Sequence, residues 1–155
     1  RVSDLSGEAA ARSRWNLIPP LWQNIKQAPI LGLGFGAKTT FTTPDPRYLA
    51  INPSGQLSTY SLEWAYLDII VEMGAIGLLV ILIFAGKIVW RGYKNLIKNN
   101  DNFSQAVIFG LLTSLIIVLT THFFTPYLNH PLGLGILIAA TVVFEISGQN
   151  DVLPR

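Results

Sequence analysis

The feature that most constrains this chain is an apolar run that begins at Met73 and ends at Gly86. Three carboxylates, Glu63, Asp68 and Glu72, precede the run on its N-terminal side. The run is shorter than the roughly 20 residues that a membrane-spanning helix needs. The span must therefore include residues before it, which places Asp68 and Glu72 at or just inside the membrane boundary. Carboxylates at that depth are costly and are candidates for functional roles.

Two further apolar segments follow, at 105–124 and 132–147. We predict an all-α integral membrane fold with three transmembrane helices, at about 66–88, 104–124 and 130–147, within a membrane region over 63–147. Residues 1–62 are predicted to form an external loop with short amphipathic helices, and 148–155 a cytoplasmic tail. The basic residues of the connection at 91–103 place it on the cytoplasmic side by the positive-inside rule. Residues 1–62 and 125–131 then share the outer face.

Composition excludes several other classes of protein. Only 13% of the 155 residues are charged, about half the fraction usual in a soluble domain. The net charge of +2, without a basic cluster interleaved with aromatics, argues against nucleic-acid binding. The absence of cysteine removes disulfide and thiolate chemistry. No signal-peptide pattern follows Arg1, and we interpret the chain as the C-terminal portion of a longer membrane protein.

The N-terminal part contains several helix-breaking residues. Residues 1–28 read as two short amphipathic helices that meet at a kink, because Pro19 and Pro20 remove hydrogen bonds and clash with the preceding turn. The stretch 29–36, PILGLGFG, predicts a tight turn and matches neither a phosphate-binding P-loop nor the dinucleotide fingerprint. Residues 37–58 predict a polar loop, and loops of that length are usually lids, binding loops or disordered segments.

An ordered set of motifs resembles the C-terminal half of the O-antigen ligase/polymerase superfamily. The set consists of Arg12, PILGLGFG at 29–36, YSLEWAYL at 60–67 and EMGAIG at 72–77. The resemblance covers roughly residues 8–80, and the two later apolar segments with the TPYL loop agree with the layout of that family. It implies a polytopic helical protein of the bacterial inner membrane with a large outer loop between late helices.

The resemblance also implies an activity and its partners. Enzymes of this family transfer a glycan from undecaprenyl diphosphate to an acceptor glycan or lipid, without a metal, nucleotide or other cofactor. Arg12 occupies the position of a loop arginine that holds the diphosphate. Many ligases carry a histidine base at the start of the helix after the loop, whereas this chain has Glu63, which is more similar to the polymerase-like branch.

The proposed chemistry needs a cation for the departing diphosphate and a base for the acceptor hydroxyl. Arg12 and Glu63 are the candidate catalytic residues, and Arg14 is a candidate for substrate binding. Tyr127, Asn129 and His130, in the predicted outer loop at 125–131, complete the substrate-binding candidates. Each residue also has a structural alternative. Loop arginines often contact lipid phosphates or solvent, and Glu63 can pair with a basic loop side chain.

The same residues bear on a metal site and on a second function. The two histidines, His122 and His130, do not have the spacing of a metal site. Asp68 and Glu72 lie one helical turn apart on one face. The favoured role of Glu72 is a structural pairing inside the bundle, because the resemblance implies an architectural role for its position. The alternative function is that of a transporter or flippase, in which Asp68 and Glu72 face a cavity among broken helices and the loop acts as a lid.

Overall fold

The computed structural model describes residues 2–60 and 62–149. It is mostly helical (70%), which confirms the predicted helical class. In chain order the elements are α1 (Val2–Gln27), β1 (Thr39–Thr42), α2 (Pro46–Leu49), β2 (Gln56–Thr59), α3 (Ala65–Lys98), α4 (Asn102–Thr121), a 3-10 helix (Tyr127–Asn129) and α5 (Pro131–Gln149). The predicted cytoplasmic tail falls largely on residues 150–155, which lie outside the described residues.

Three of these helices, α3, α4 and α5, are long and apolar enough to cross a membrane. Helices α4 and α5 begin and end within three residues of the predicted limits. Helix α3 runs ten residues beyond its predicted end at 88, to Lys98. The predicted connection at 91–103 is therefore mostly helical, because its lysines, arginine and leucine favour helix and no proline interrupts them. Asp101 then caps α4, since its side chain accepts the Ser104 N–H at 2.9 Å.

The chain divides into two compact units, residues 1–78 and 79–155. In the first unit, α1 packs on strand β1 and on the segment that leads into α3. Its core is formed by fully or nearly buried apolar side chains. These are Leu17, Leu21, Ile25, Leu62 and Val71.

The prediction of two helices meeting at a kink is wrong, because α1 is one helix that contains both Pro19 and Pro20. Each proline in a helix interior costs roughly 3 kcal/mol. Leu17, Leu21 and Ile25 are buried on one face of α1, before and after the two prolines. Burying each of these side chains contributes about 1.5–3 kcal/mol, which is comparable to the combined cost of the prolines. Tertiary packing therefore keeps the helix continuous.

The predicted polar loop at 37–58 contains a small antiparallel hairpin, which departs from an all-α fold. Strands β1 and β2 pair so that Thr39 faces Thr59 and Thr42 faces Gln56. Asn24 of α1 donates to the Thr39 hydroxyl at 2.9 Å, and Asn16 of α1 donates to the Thr42 carbonyl at 3.1 Å. The hairpin is thus fastened to α1 along its length and holds the intervening residues in place.

The second unit comprises the C-terminal part of α3 with α4 and α5. Its core includes Ile88 of α3, Leu115 of α4 and Phe144 of α5. The Phe144 ring lies against Gly92, where an added Cβ would come within 2.5 Å of the ring. The buried Asn95 side chain donates to the Phe144 carbonyl at 2.5 Å. A small residue and an interhelical hydrogen bond are the usual means by which membrane helices pack closely.

Candidate functional site

Glu63 contacts Arg14 across the surface of the first unit. The Arg14 Nε lies 2.5 Å from the Glu63 Oε2, and both side chains are about half exposed. The neighbours of Glu63 hold it there, since Leu62 is buried and the Trp64 indole donates to the Arg14 carbonyl at 2.8 Å. The Trp64 ring also packs against Trp15, with centroids 5.6 Å apart. This pairing is the structural role considered for Glu63 from the sequence, and the role of Glu63 as a base stays a prediction.

A cavity of about 220 Å³ lies beside Glu63, between α1 and the hairpin. Its polar lining is rich in hydroxyl groups and contains two charged side chains besides Glu63. The polar residues are Ser13, Thr43, Asp45, Arg47, Tyr48, Thr59 and Glu63. A hydrogen bond between the hydroxyls of Ser13 and Thr43 joins α1 to the loop between the strands. The cavity therefore combines two carboxylates, a guanidinium and several groups that can both donate and accept.

Asp45 and Arg47 are site residues that the sequence analysis did not select. The Asp45 carboxylate accepts the backbone N–H of Arg47 at 2.9 Å and its guanidinium Nη2 at 2.6 Å. These contacts with Arg47 lower the pKa of Asp45 and raise the pKa of Arg47. The signal was present in the sequence, because an aspartate directly before a proline is a typical helix start, and α2 begins at Pro46.

Arg12 lies exposed on α1 and is not among the residues that line this cavity. Two positions along an α-helix correspond to a rotation of about 200°, so Arg12 and Arg14 project from nearly opposite sides of α1. The structure thus brings Arg14, rather than Arg12, to Glu63. The predicted role of Arg12 in binding a diphosphate remains a prediction.

The other predicted substrate-binding residues belong to the second unit. Tyr127 and Asn129 are the first and last residues of the 3-10 helix. Both are exposed, as is His130. His130 accepts the Leu132 N–H at its Nδ1, at 3.3 Å. His122 is buried, and its Nδ1 accepts the Leu128 N–H at 3.2 Å, so it holds the turn between α4 and α5 in place.

The glycine-rich stretch at 29–36 is bound to a break in α3. Gly74 has φ 70° and ψ −173°, which interrupts the helix. On the N-terminal side of the break, the Val71 carbonyl accepts the Leu33 N–H at 2.7 Å. The Glu72 carbonyl accepts the Gly34 N–H at 3.0 Å. On its C-terminal side, the N–H groups of Ala75 and Ile76 donate to the Pro29 and Ile30 carbonyls. The two segments thereby satisfy each other's backbone groups, which the break would otherwise leave unpaired.

The two acidic residues before the break have different surroundings. The Glu72 carboxylate accepts the exposed Gly36 N–H at 2.8 Å, and its pairing inside the bundle stays a prediction. Asp68 is buried in the first turn of α3, where the helix dipole favours a negative charge. Its Oδ1 has no hydrogen-bond partner within residues 2–60 and 62–149. Over the same part of the chain, no three histidine, aspartate or glutamate side chains are grouped as a metal site would need.

The chain was compared with models of known families, with curated proteins and with solved structures, and none of them matches it.

Proposed function

We propose that this chain is part of a membrane polymerase or ligase of bacterial surface polysaccharide assembly. The enzyme would transfer a glycan from undecaprenyl diphosphate to an acceptor sugar at the outer side of the inner membrane. The observation that carries the proposal is the contact of Glu63 with Arg14 at the edge of a hydroxyl-lined cavity. The order of motifs that resembles the O-antigen ligase/polymerase superfamily supports the same function. Three helices apolar enough to cross a membrane fit it as well.

The proposed step is a displacement at the anomeric carbon of the donor glycan. The acceptor hydroxyl oxygen forms a bond to that carbon, and the bond from the carbon to the diphosphate breaks, with the electron pair leaving on the diphosphate. Glu63 takes the hydroxyl proton as the base. The resemblance assigns the departing diphosphate to Arg12, whose planar guanidinium fork suits that anion, although Arg12 lies outside the cavity lining. Arg14 holds the Glu63 carboxylate in position and is therefore a positioning residue.

The size of the cavity bears on what it binds. Sites for drug-sized ligands usually measure about 300–1,000 Å³. At about 220 Å³ this cavity is smaller, so it suits a single sugar unit of a glycan rather than several. Hydroxyl groups both donate and accept, as binding of a sugar's hydroxyl groups requires, and a bound sugar would share those of Ser13 and Thr43 with the hydrogen bond that joins them.

The test is glycan chain growth by the complete protein in membranes that contain the lipid-linked donor. Glu63→Gln and Arg12→Ala should each abolish growth while the protein still inserts at the wild-type level. Arg14→Ala should slow growth without abolishing it, because it removes a positioning contact. Lys26→Ala, which removes an exposed cation from the last turn of α1 and outside the cavity lining, should leave growth unchanged. Wild-type glycan lengths in both Glu63→Gln and Arg12→Ala would refute the proposed roles.

One observation favours transport as a second candidate function. Helix α3 is interrupted at Gly74, and Asp68 is buried before the break, as in transporters that bind ions at discontinuous helices. In this chain, however, the glycine-rich stretch occupies the backbone groups of the break that would bind an ion. Asp68→Asn separates the two functions. It should leave glycan growth intact in the enzyme and abolish ion-dependent uptake in a transporter.

A further inference from the structure

A groove of about 630 Å³ lies in the second unit, between the C-terminal part of α3 and α5. Four basic residues of α3 line it, at 87, 91, 94 and 98. These positions are spaced by four, three and four residues, so they form one stripe along a single face of the helix. The stripe begins where the apolar run of α3 ends, at the depth where a bilayer changes from hydrocarbon to headgroups.

The charges of the groove do not cancel. Glu145 is the acidic residue among the described residues that line it, and its carboxylate pairs with Arg91. Lys87, Lys94 and Lys98 remain as an excess of positive charge. Lys94 lies over the Trp90 ring, with its Nζ 5.2 Å from the centroid. That contact directs one of the cations along the groove wall.

The same groove has an apolar half. Phe84, Ile88 and Phe144 line it, and Phe84 lies one turn before the first lysine of the stripe. Phe84 is half exposed, whereas Ile88 and Phe144 are buried and fixed in the core of the unit. Along α3 the wall therefore changes from apolar to cationic, in the order in which a phospholipid changes from acyl chain to headgroup.

We propose that this groove is a binding site for an anionic phospholipid, a site separate from the proposed catalytic residues and independent of the proposed function. The lysines bind the phosphodiester headgroup, and one acyl chain lies against the exposed ring of Phe84. Basic pockets between helices at a membrane surface are a known means of binding anionic headgroups. An anionic phospholipid and free phosphate both present a phosphate anion to the lysines. The apolar wall favours the lipid, because only the lipid has an acyl chain to contact it.

The test is native mass spectrometry of the detergent-solubilised chain with phosphatidylglycerol or phosphatidylcholine. The wild type should retain phosphatidylglycerol in preference. Lys87→Gln combined with Lys94→Gln should weaken retention about 10- to 30-fold, from the loss of two cations near the surface. The matched control, Lys26→Gln combined with Lys38→Gln, removes the same charge from the first unit and should retain the preference. Phe84→Ala should weaken retention of the lipid without removing a charge.

Three results would overturn the proposal. The first is equal retention of both lipids by the wild type. Because this comparison needs no variant, it tests the proposal even if a variant fails to insert. Loss of the preference in the control pair as large as in the groove pair would indicate overall charge rather than a site. Displacement of phosphatidylglycerol by inorganic phosphate at similar concentration would indicate a site for free phosphate, without a role for the acyl chain.

Discussion

Gly74 lies so close to Ile30 that a Cβ on Gly74 would be 2.1 Å from the Ile30 carbonyl oxygen. The backbone of the break in α3 and that of the glycine-rich stretch therefore approach so closely that a side chain on Gly74 would clash with the stretch. Gly32 meets the same condition from the opposite side, since its Cβ would be 2.4 Å from the Glu72 carbonyl. Both residues also have positive φ, 70° at Gly74 and 73° at Gly32. Two independent reasons therefore require glycine at each position.

Gly74→Ala should destabilise the chain by about 3 kcal/mol or more. The φ and ψ of Gly74 are those of a region that essentially only glycine occupies, and the added methyl also meets backbone. The measurement is the free energy of unfolding in detergent. Gly86→Ala is the matched control in the same helix, because its Cβ would meet open space. It should be neutral or add up to about 1 kcal/mol. Equal destabilisation by both variants would contradict the assigned break.

Gly32→Ala and Gly36→Ala should differ although their φ values, 73° and 77°, are nearly the same. At Gly36 nothing lies within 4 Å of an added Cβ, so alanine there adds only the backbone cost of about 1–2 kcal/mol. At Gly32 the Cβ would also meet the Glu72 backbone, which makes the loss distinctly larger. Chemical unfolding of the two variants side by side measures the difference. A loss at Gly36 as large as that at Gly32 would mean that backbone contact contributes nothing.

The loop that carries Asp45 should lose protection in acid. The pKa of Asp45 is below its ordinary value of 3.8 in the folded chain, because its carboxylate binds the side chain and backbone of Arg47. Because the pKa is lowered in the folded state, the stabilisation of the loop by the ionised Asp45 carboxylate is complete above about pH 4. It is lost as the pH falls through the pKa of the folded state. Amide hydrogen exchange in residues 43–55, for the wild type and for Asp45→Asn, measures it.

For Asp45, the wild type should be better protected than the variant at pH 7, and the two should converge as the pH falls below about 4. Comparison at each pH removes the intrinsic pH dependence of exchange, which both chains share. A difference that stays constant from pH 7 to pH 2 would show that the ionised carboxylate is not what holds the loop.

Gly92→Ala should weaken packing between α3 and α5 by about 1–3 kcal/mol. The added Cβ would lie 2.5 Å from the ring of Phe144, which is fully buried and has little room to move. Gly135→Ala is the control on α5, because nothing lies within 4 Å of its added Cβ. Thermal unfolding in detergent compares them. A Gly92→Ala variant as stable as Gly135→Ala would mean that the two helices do not approach closely at this point.

The sequence by itself determined the helical class and the three apolar helices, because a bilayer imposes a length and a composition that can be read along the chain. It also identified 29–36 as a tight glycine turn. Tertiary structure decided features that depend on distant residues. The burial of Leu17, Leu21 and Ile25 keeps α1 continuous through two prolines, and contacts with α1 hold the hairpin in a stretch that reads as a polar loop.

The candidate site divides in the same way. Arg12, Arg14 and Glu63 can be selected from residue type and order, but only the fold shows that Arg14 is the arginine that reaches Glu63, 49 residues away. Asp45 and Arg47 have an ordinary helix-start signature, and they join the site only because the hairpin places their loop beside α1. Features that depend on neighbouring residues can be predicted from the sequence. Contacts between residues far apart in the sequence depend on how the elements pack, and no single stretch of the chain determines that.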